Sequence, residues 1–230
     1  VIGGGVNGLA CAARLAAKGR KVTLLEASEV VGGGAGEREF APGYHAPALA
    51  HLTQGLDTRV VEAMALDRHG LAFHPALATT VLSGEAESLT VRGGKTSGVD
   101  AAAWEALHRK LSAFARVLAP LRQMRPVRLA GENRLFGLAR QGLGIRALGK
   151  DDFRELLRMV LINVHDVAED ELSDDRLKGL LAFDATLGAW LGPRSPNSLI
   201  LYLDRLARGA DPLLPKGGMG ALAVAMGKAV

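Results

Sequence analysis

The chain has 230 residues, 48% of them hydrophobic and 23% charged, with a formal net charge of +4; this is the profile of one or two globular domains with a substantial core. Its basic residues are dispersed among acids and only 4% of residues are aromatic, which argues against a nucleic-acid groove, where clustered charge and stacking rings are needed. Cys11 is the only cysteine, so an internal disulfide framework and a CxxC site are both excluded, and no apolar run reaches the roughly 18 residues of a membrane-spanning helix.

The chain opens VIGGGVNGLACAARLAAKGRKVTLLEASEVVGGGAG. Val1 and Ile2 read as the end of a buried strand, Val6 to Ala17 as an alanine-rich helix, Gly19 as its stop, and Lys21 to Leu25 as a short strand ending at Glu26. Gly3, Gly5 and Gly8 fit G-x-G-x-x-G in the strand–turn–helix context that gives this pattern its meaning. In such a turn the first glycine bends the chain out of the strand. The second bares the backbone to a diphosphate, and the third lets helix and sheet approach. The helix N-terminus adds unpaired N–H groups and a positive dipole end. Glu26 follows Gly8 by 18 residues, close to the spacing at which a carboxylate accepts from a ribose 2′-hydroxyl and repels a 2′-phosphate. The predicted site is Gly3, Gly4, Gly5, Asn7, Gly8, Glu26 and Ala27, continued by Gly32, Gly33 and Gly34.

The second glycine cluster begins six residues after Glu26, too early for the crossover helix of an ordinary NAD domain. Bare backbone there suits a longer extended cofactor. With these two turns the chain resembles the flavoprotein superfamily of phytoene desaturases, amine oxidases and protoporphyrinogen oxidase. PGYHAPALAHL, LDRHGLAFHP, LGPRSPNSL and PKGGMGAL are similar to successive landmarks of the phytoene-desaturase-related branch. The resemblance implies an α/β fold: a Rossmann-like FAD-binding domain of the glutathione-reductase type, incomplete in this chain, and a mixed, largely helical substrate-side region. It implies FAD as cofactor, hydride transfer from a small apolar, isoprenoid-like substrate, a cytoplasmic location and openness to peripheral membrane contact. Many relatives carry an arginine where this chain has Gly34, so that contact does not transfer. A flavin amine oxidase shares every motif visible here. A prenyl-binding escort resembling Rab GDP-dissociation inhibitors is disfavoured by the intact glycine turns. The two-residue opening strand and the abrupt end read as a fragment, the N-terminal part of a longer protein.

The expected division is 1–70 for the nucleotide domain, 71–210 for the substrate side and 211–230 for a returning helix. Ala41-Pro42-Gly43 marks a turn, after which Tyr44 to His51 runs toward the cofactor by resemblance. His45 and His51 are the histidines placed to move protons, although a hydrogen-bonded loop histidine is the simpler reading. Asp57 to Leu66 has helical spacing. Leu71 to Leu82 and Ser88 to Val91 read as strands around a turn at Ser83-Gly84-Glu85.

From Asp100 the period becomes helical, with Trp104, Leu107, Leu111, Phe114 and Leu118 on one face. Pro120 and Pro126 interrupt it, and 131–149 carries no clear period. Asp152 with Glu155 suggests a capped start, followed by Phe153, Leu156, Leu157, Val160, Leu161 and Val164 as a buried face. Ser173 is placed to cap a helix burying Leu177, Leu180 and Leu181. Gly192 to Pro196 reads as a turn, Ser198 to Arg208 as a helix, and Pro215 to Gly218 as the turn into the last helix. Lys216 lacks the P-loop spacing and reads as part of that turn; Cys11 reads as a small packing residue.

Overall fold

The computed structural model describes residues 1–84, 87–124, 135–209 and 211–230. Two compact units form, Val1–Leu77 with Asp211–Val230, and Ala78–Ala210.

In the first unit the opening turn feeds α1 (Val6–Ala16), whose Leu9 and Ala12 are buried. Ile2 and Leu25 form a single parallel bridge, flanked by hydrogen bonds from Gly3 N–H to Leu25 O and from Leu25 N–H to Val1 O. The two flanking segments are therefore adjacent and parallel, as the nucleotide motif requires, but neither is a regular strand. Ile2 is 90% exposed, not buried as the sequence suggests.

A single 3₁₀ turn at Gly33–Ala35 leads into the hairpin β1 (Glu37–Ala41) and β2 (Tyr44–Pro47), with Glu37 opposite Pro47 and Glu39 opposite His45. Helix α2 (Thr58–Ala63) is capped by Asp57, whose side chain accepts from Arg59 N–H. The stretch after Gly70 is not the long strand its apolar content suggests. Phe73 bridges Pro215, and His74 N–H donates to Leu214 O, so this segment pairs with the returning chain. Helix α9 (Met219–Lys228) then packs Met219, Leu222, Ala225 and Met226 against Leu9, Ala35, Met64, Leu66 and Leu71.

The second unit begins with a short hairpin, β3 (Thr79–Val81) and β4 (Leu89–Val91). Helix α3 (Ala101–Leu118) follows and buries Trp104, Leu107, Leu111, Phe114 and Ala115. After a 3₁₀ turn at Ala119–Gln123 come α4 (Leu135–Arg146), α5 (Gly149–Leu161), α6 (Val164–Glu171), α7 (Asp175–Thr186) and α8 (Leu199–Ala207). Helix α4 occupies the stretch whose glycines hide any period; its exposed Gly142 and Gly144 tolerate helix because neighbouring residues supply propensity.

Three local expectations fail here. Helix α5 starts at Gly149, so Asp151 and Asp152 lie inside its first turn. There they complement the dipole and do not cap. Of its expected apolar face Leu156 is buried and Val160 packs partly buried against the same core, while Phe153, Leu157 and Leu161 are 39%, 46% and 63% exposed; Met159, not expected on that face, is buried, and Val164 is buried but belongs to α6. The cap of α7 is Asp174, accepting from Arg176 N–H, and not Ser173. Asp174 wins because it also holds the Arg176 guanidinium at 2.6 Å.

One buried carboxylate ties this unit together. Asp100, 8% exposed, accepts from Ser173 and Asp174 N–H at 2.5 Å each, joining the start of α3 to that of α7. Leu177, Leu180 and Leu181 are buried beside it, and α8 packs its Leu199, Tyr202 and Leu203 into the same core.

Candidate dinucleotide site

Two glycine turns meet at the N-terminus of α1. Gly3 has φ +90°, a conformation that glycine adopts freely and most residues resist. Gly4 N–H donates to Glu26 Oε2 at 2.5 Å. Gly5 is the N-cap of α1, and no side chain caps the helix, so its first N–H groups point outward as they do at anion-binding helix ends. Gly8 lies on Gly3: a Cβ there would sit 1.9 Å from Gly3 O, so only glycine fits.

The second turn is sewn directly onto the first. Gly32 N–H donates to Gly4 O at 2.8 Å, and Gly5 pairs with Gly32 in a parallel bridge. A Cβ on Gly33 would lie 3.1 Å from Gly5 Cα. Gly34 O accepts from Leu49 and Ala50 N–H, which brings a third segment alongside. Between Glu26 and Gly32 the chain runs through bends with no helix.

Glu26 is the polar centre of this arrangement. Its carboxyl is held below its ordinary value, first by Ser28 N–H at 2.9 Å and then by Gly4 N–H. It is therefore ionised at neutral pH, at the mouth of the first turn, a charge that disfavours phosphate and suits hydroxyl donors. Ala27 follows it, exposed. Asn7 is exposed on the first turn of α1 and borders a cleft of about 540 Å³. Val6, Gly34, Leu49, Leu56, Leu222 and Met226 make most of that cleft apolar, with Thr53, Gln54 and Asp57 among its polar groups.

The arrangement fits an extended adenine dinucleotide. The space in front of Gly5 is open, since a Cβ there would meet nothing closer than Gly33 Cα at 3.9 Å. Uncapped N–H groups stand on one side of that opening and an ionised carboxylate stands close by.

The structure does not bring every candidate to this place. His45 and His51 are exposed and neither lines the cleft. Lys216 is exposed, and its N–H donates to Ala72 O. Cys11 lies on the exposed face of α1, which corrects its reading as a packing residue: Leu9 and Ala12 take the buried face instead. Among the described residues no group of His, Cys, Asp and Glu is arranged to hold a metal ion.

One supporting residue escaped the sequence. Glu37 Oε1 accepts from Gly220 N–H at 3.1 Å, fixing the start of α9 beside the second turn. A Cβ on Gly220 would lie 2.8 Å from the Glu37 carboxyl carbon. The only trace of this in the sequence is the pair of small residues in GGMG.

Residues 1–66 match the family model of an NAD(P)-binding Rossmann-like domain. The fold is Rossmann-like α/β. A rat (Rattus norvegicus) protein, pyridine nucleotide-disulfide oxidoreductase domain-containing protein 2, is 26% identical over 260 residues, covering 98% of this chain and 44% of the relative. Its mouse (Mus musculus) counterpart is also 26% identical, over 261 residues and with the same coverage. The chain thus spans less than half the length of these curated relatives. Among solved structures, a triple mutant of putrescine oxidase redesigned in cofactor binding superposes with a TM-score of 0.54 at 15% identity. It covers 99% of this chain and 48% of that one. A single mutant of the same oxidase gives 0.52. These likenesses extend the fold assignment beyond residue 66 to nearly the whole chain.

Proposed function

We propose that this chain is the nucleotide-binding part of an FAD-dependent oxidoreductase. The observation that carries the reading is the direct joining of the Gly32–Gly34 turn to the Gly3–Gly8 turn, with Glu26 between them and no crossover helix. A nicotinamide dinucleotide needs only the first turn; the second gives a longer cofactor bare backbone to lie against. The names of the rat and mouse relatives and of the putrescine oxidase neighbour agree with redox chemistry.

FAD, when bound, supplies the acceptor for a hydride. The chain's own residues bind and orient it. Gly5 and the N-terminus of α1 would receive the diphosphate, and Glu26 would accept from the adenosine ribose hydroxyls. Gly32, Gly33 and Gly34 keep side chains away from the remainder. Val6, Leu49 and Leu222 give the neighbouring cleft an apolar lining, suited to an apolar substrate. For the substrate we favour a small apolar, isoprenoid-like molecule oxidised at a C–C bond, by the phytoene-desaturase-related landmarks. Oxidation of an amine is the second reading, supported by the putrescine oxidase fold.

The test is the visible flavin spectrum of the full-length protein purified without added cofactor, then after incubation with FAD or NAD. Flavin bound stoichiometrically, and released by Glu26→Ala, is expected. Protein that stays colourless after FAD but binds NAD tightly would reverse the cofactor assignment. Peroxide release from amines, set against desaturation of an isoprenoid, separates the two substrate classes.

A further inference from the structure

Helix α9 begins without a local cap. Its N-cap, Gly218, has φ +81° and no side chain to offer, and its first turn carries no acid. The first N–H groups of a helix have no partner within it. Here a carboxylate 183 residues away in sequence supplies one: Glu37 Oε1 accepts from Gly220 N–H at 3.1 Å. An acidic group at that end also complements the helix dipole. Two glycines make room for it. A Cβ on Gly218 would collide with Glu37 Oε1, and one on Gly220 would lie 2.8 Å from the carboxyl carbon and 3.0 Å from Cγ. The glycines of PKGGMGAL thus cradle an anion, and the anion is the protein's own side chain.

From this anchor two faces of α9 serve the nucleotide site. Gly220, Ala223 and Gly227, spaced by three and four residues on one face, lie on Glu37, Gly32 and Val31 respectively. A Cβ on Gly32 would be 2.7 Å from Ala223 Cβ, and one on Gly227 would be 3.0 Å from Val31 Cγ2. Met219, Leu222 and Met226, each one residue earlier, line the cleft of about 540 Å³. Small apolar residues allow a close fit but hold the helix weakly along its axis, because apolar burial has no direction. Among the described residues, the Glu37 bond is the only hydrogen bond from α9 to a side chain outside it. A slip of one residue would move the helix by about 1.5 Å and turn it by about 100°, bringing Leu222 or Val224 against Gly32 in place of Ala223. Glu37 is the directional contact that opposes such a slip.

We infer that Glu37 is a positioning residue of the dinucleotide site: its carboxylate fixes the axial register of α9, and α9 in turn holds Gly32 and one wall of the cleft in the arrangement the cofactor meets. The identity of that cofactor rests on the FAD reading above. The anchoring of α9 does not, and it is measured without flavin.

The test uses the full-length protein with Glu37→Ala, Glu37→Gln and Gly220→Ala. In cofactor-free protein, hydrogen–deuterium exchange across 219–228 should rise in Glu37→Ala and Gly220→Ala. It should stay near wild type in Glu37→Gln, which keeps the acceptor oxygen and the side-chain length. Titration with FAD, followed by flavin fluorescence, should show binding about tenfold weaker in the first two variants, the loss expected when a hydrogen bond to a charged group no longer holds the site ready. Glu37→Gln should recover most of that loss. Glu37→Ala/Gly220→Ala should bind no worse than Glu37→Ala, because the added methyl group then fills the space that the carboxylate leaves. Circular dichroism identifies the folded variants; should Glu37→Ala not fold, Gly220→Ala, which displaces the same carboxylate, decides on both readouts. Unchanged exchange across 219–228 would overturn the anchoring, and raised exchange with FAD affinity unchanged would overturn the positioning role. Additive losses in the double variant would deny that Gly220 lies on Glu37. Wild-type protein that takes NAD and not FAD would refute the cofactor reading alone, with the variants then compared on NAD; wild type that takes neither would refute both.

Discussion

Replacing Gly8 by alanine tests the geometry of the first turn with a single methyl group. The new Cβ would lie 1.9 Å from Gly3 O and 3.1 Å from Gly3 C, both backbone atoms. Ordinary contact begins near 3.4 Å, so α1 and the turn must separate by about 1.5 Å, the difference between those distances. Overpacking of this kind costs about 1–3 kcal/mol, and two backbone segments with no rotamer to yield put the cost near the upper end. Alanine's better helix propensity returns about 1 kcal/mol, leaving a net loss of about 1–2 kcal/mol. The internal comparison is Gly179→Ala, inside α7, where nothing lies within 4 Å of the added Cβ. There propensity acts alone and should stabilise by up to about 1 kcal/mol. Urea denaturation of both variants, followed by circular dichroism and by retained flavin, gives opposite signs if the turn is as described. The displaced helix end should also release the cofactor in Gly8→Ala and not in Gly179→Ala. A Gly8→Ala protein as stable as wild type, with flavin intact, would show that Gly8 does not lie on Gly3.

Asp100→Ala removes the acceptor of two N–H groups and should cost about 2–3 kcal/mol in the same denaturation, whereas Ser173→Ala, at the residue wrongly expected to cap, should cost little. Arg205→Met leaves the half-buried Asp184 without its 3.0 Å partner and should cost about 1–2 kcal/mol; Asp184→Asn/Arg205→Met should cost less than that single change. The acid limb of stability against pH has two opposed contributions. Glu155, Glu169 and Asp174 are lowered from 4.5, 4.5 and 3.8, chiefly by hydrogen bonds from Arg158, Lys178 and Arg176, so their contribution is present above those values and is lost as pH falls through the lowered ones. Asp184 is raised from 3.8 by burial, with Arg205 pulling the other way, so its contribution is present below 3.8 and is lost as pH rises through the raised value. Asp184→Asn should therefore steepen the rise of stability with pH just above 3.8; an unchanged slope would deny the burial of that carboxyl.

The turn geometry legible in the sequence is that fixed by sterics between near neighbours. Gly3 and Gly8 are confined to glycine by a turn within the same few residues, and the short link from Glu26 to Gly32 excludes a helix by length alone. Failures came where tertiary contact decides. Apolar spacing in α5 marks two faces equally well, and only packing shows that Leu156 and Met159 go inside. The segment after Gly70 reads as a strand from its apolar content, but its partner is a stretch of irregular chain 140 residues later, at Leu214 and Pro215. Asp174 displaced Ser173 as the cap because Arg176 supports it, and Glu37 was invisible because its partner, Gly220, is 183 residues away.

That long reach bears on how the site is held. The first unit is made of two pieces of chain, and the second piece touches the glycine turns themselves: a Cβ on Gly32 would lie 2.7 Å from the Cβ of Ala223 in α9. Thr53 bridges Leu213 by backbone and side chain, its Oγ1 donating to Leu213 O at 2.9 Å, and Glu37 holds the start of α9. The second glycine turn thus rests on a helix that arrives only after 78–210 has been traversed. Closing so long a loop costs entropy that grows only logarithmically with its length, so a large excursion is tolerable provided the returning contacts are specific. The specificity here is steric: small residues at Gly32 and Ala223, and at Gly218 and Gly220 against Glu37, allow a close approach that larger side chains would forbid. The second turn is therefore a tertiary structure, and Gly32 answers to α9 through Ala223.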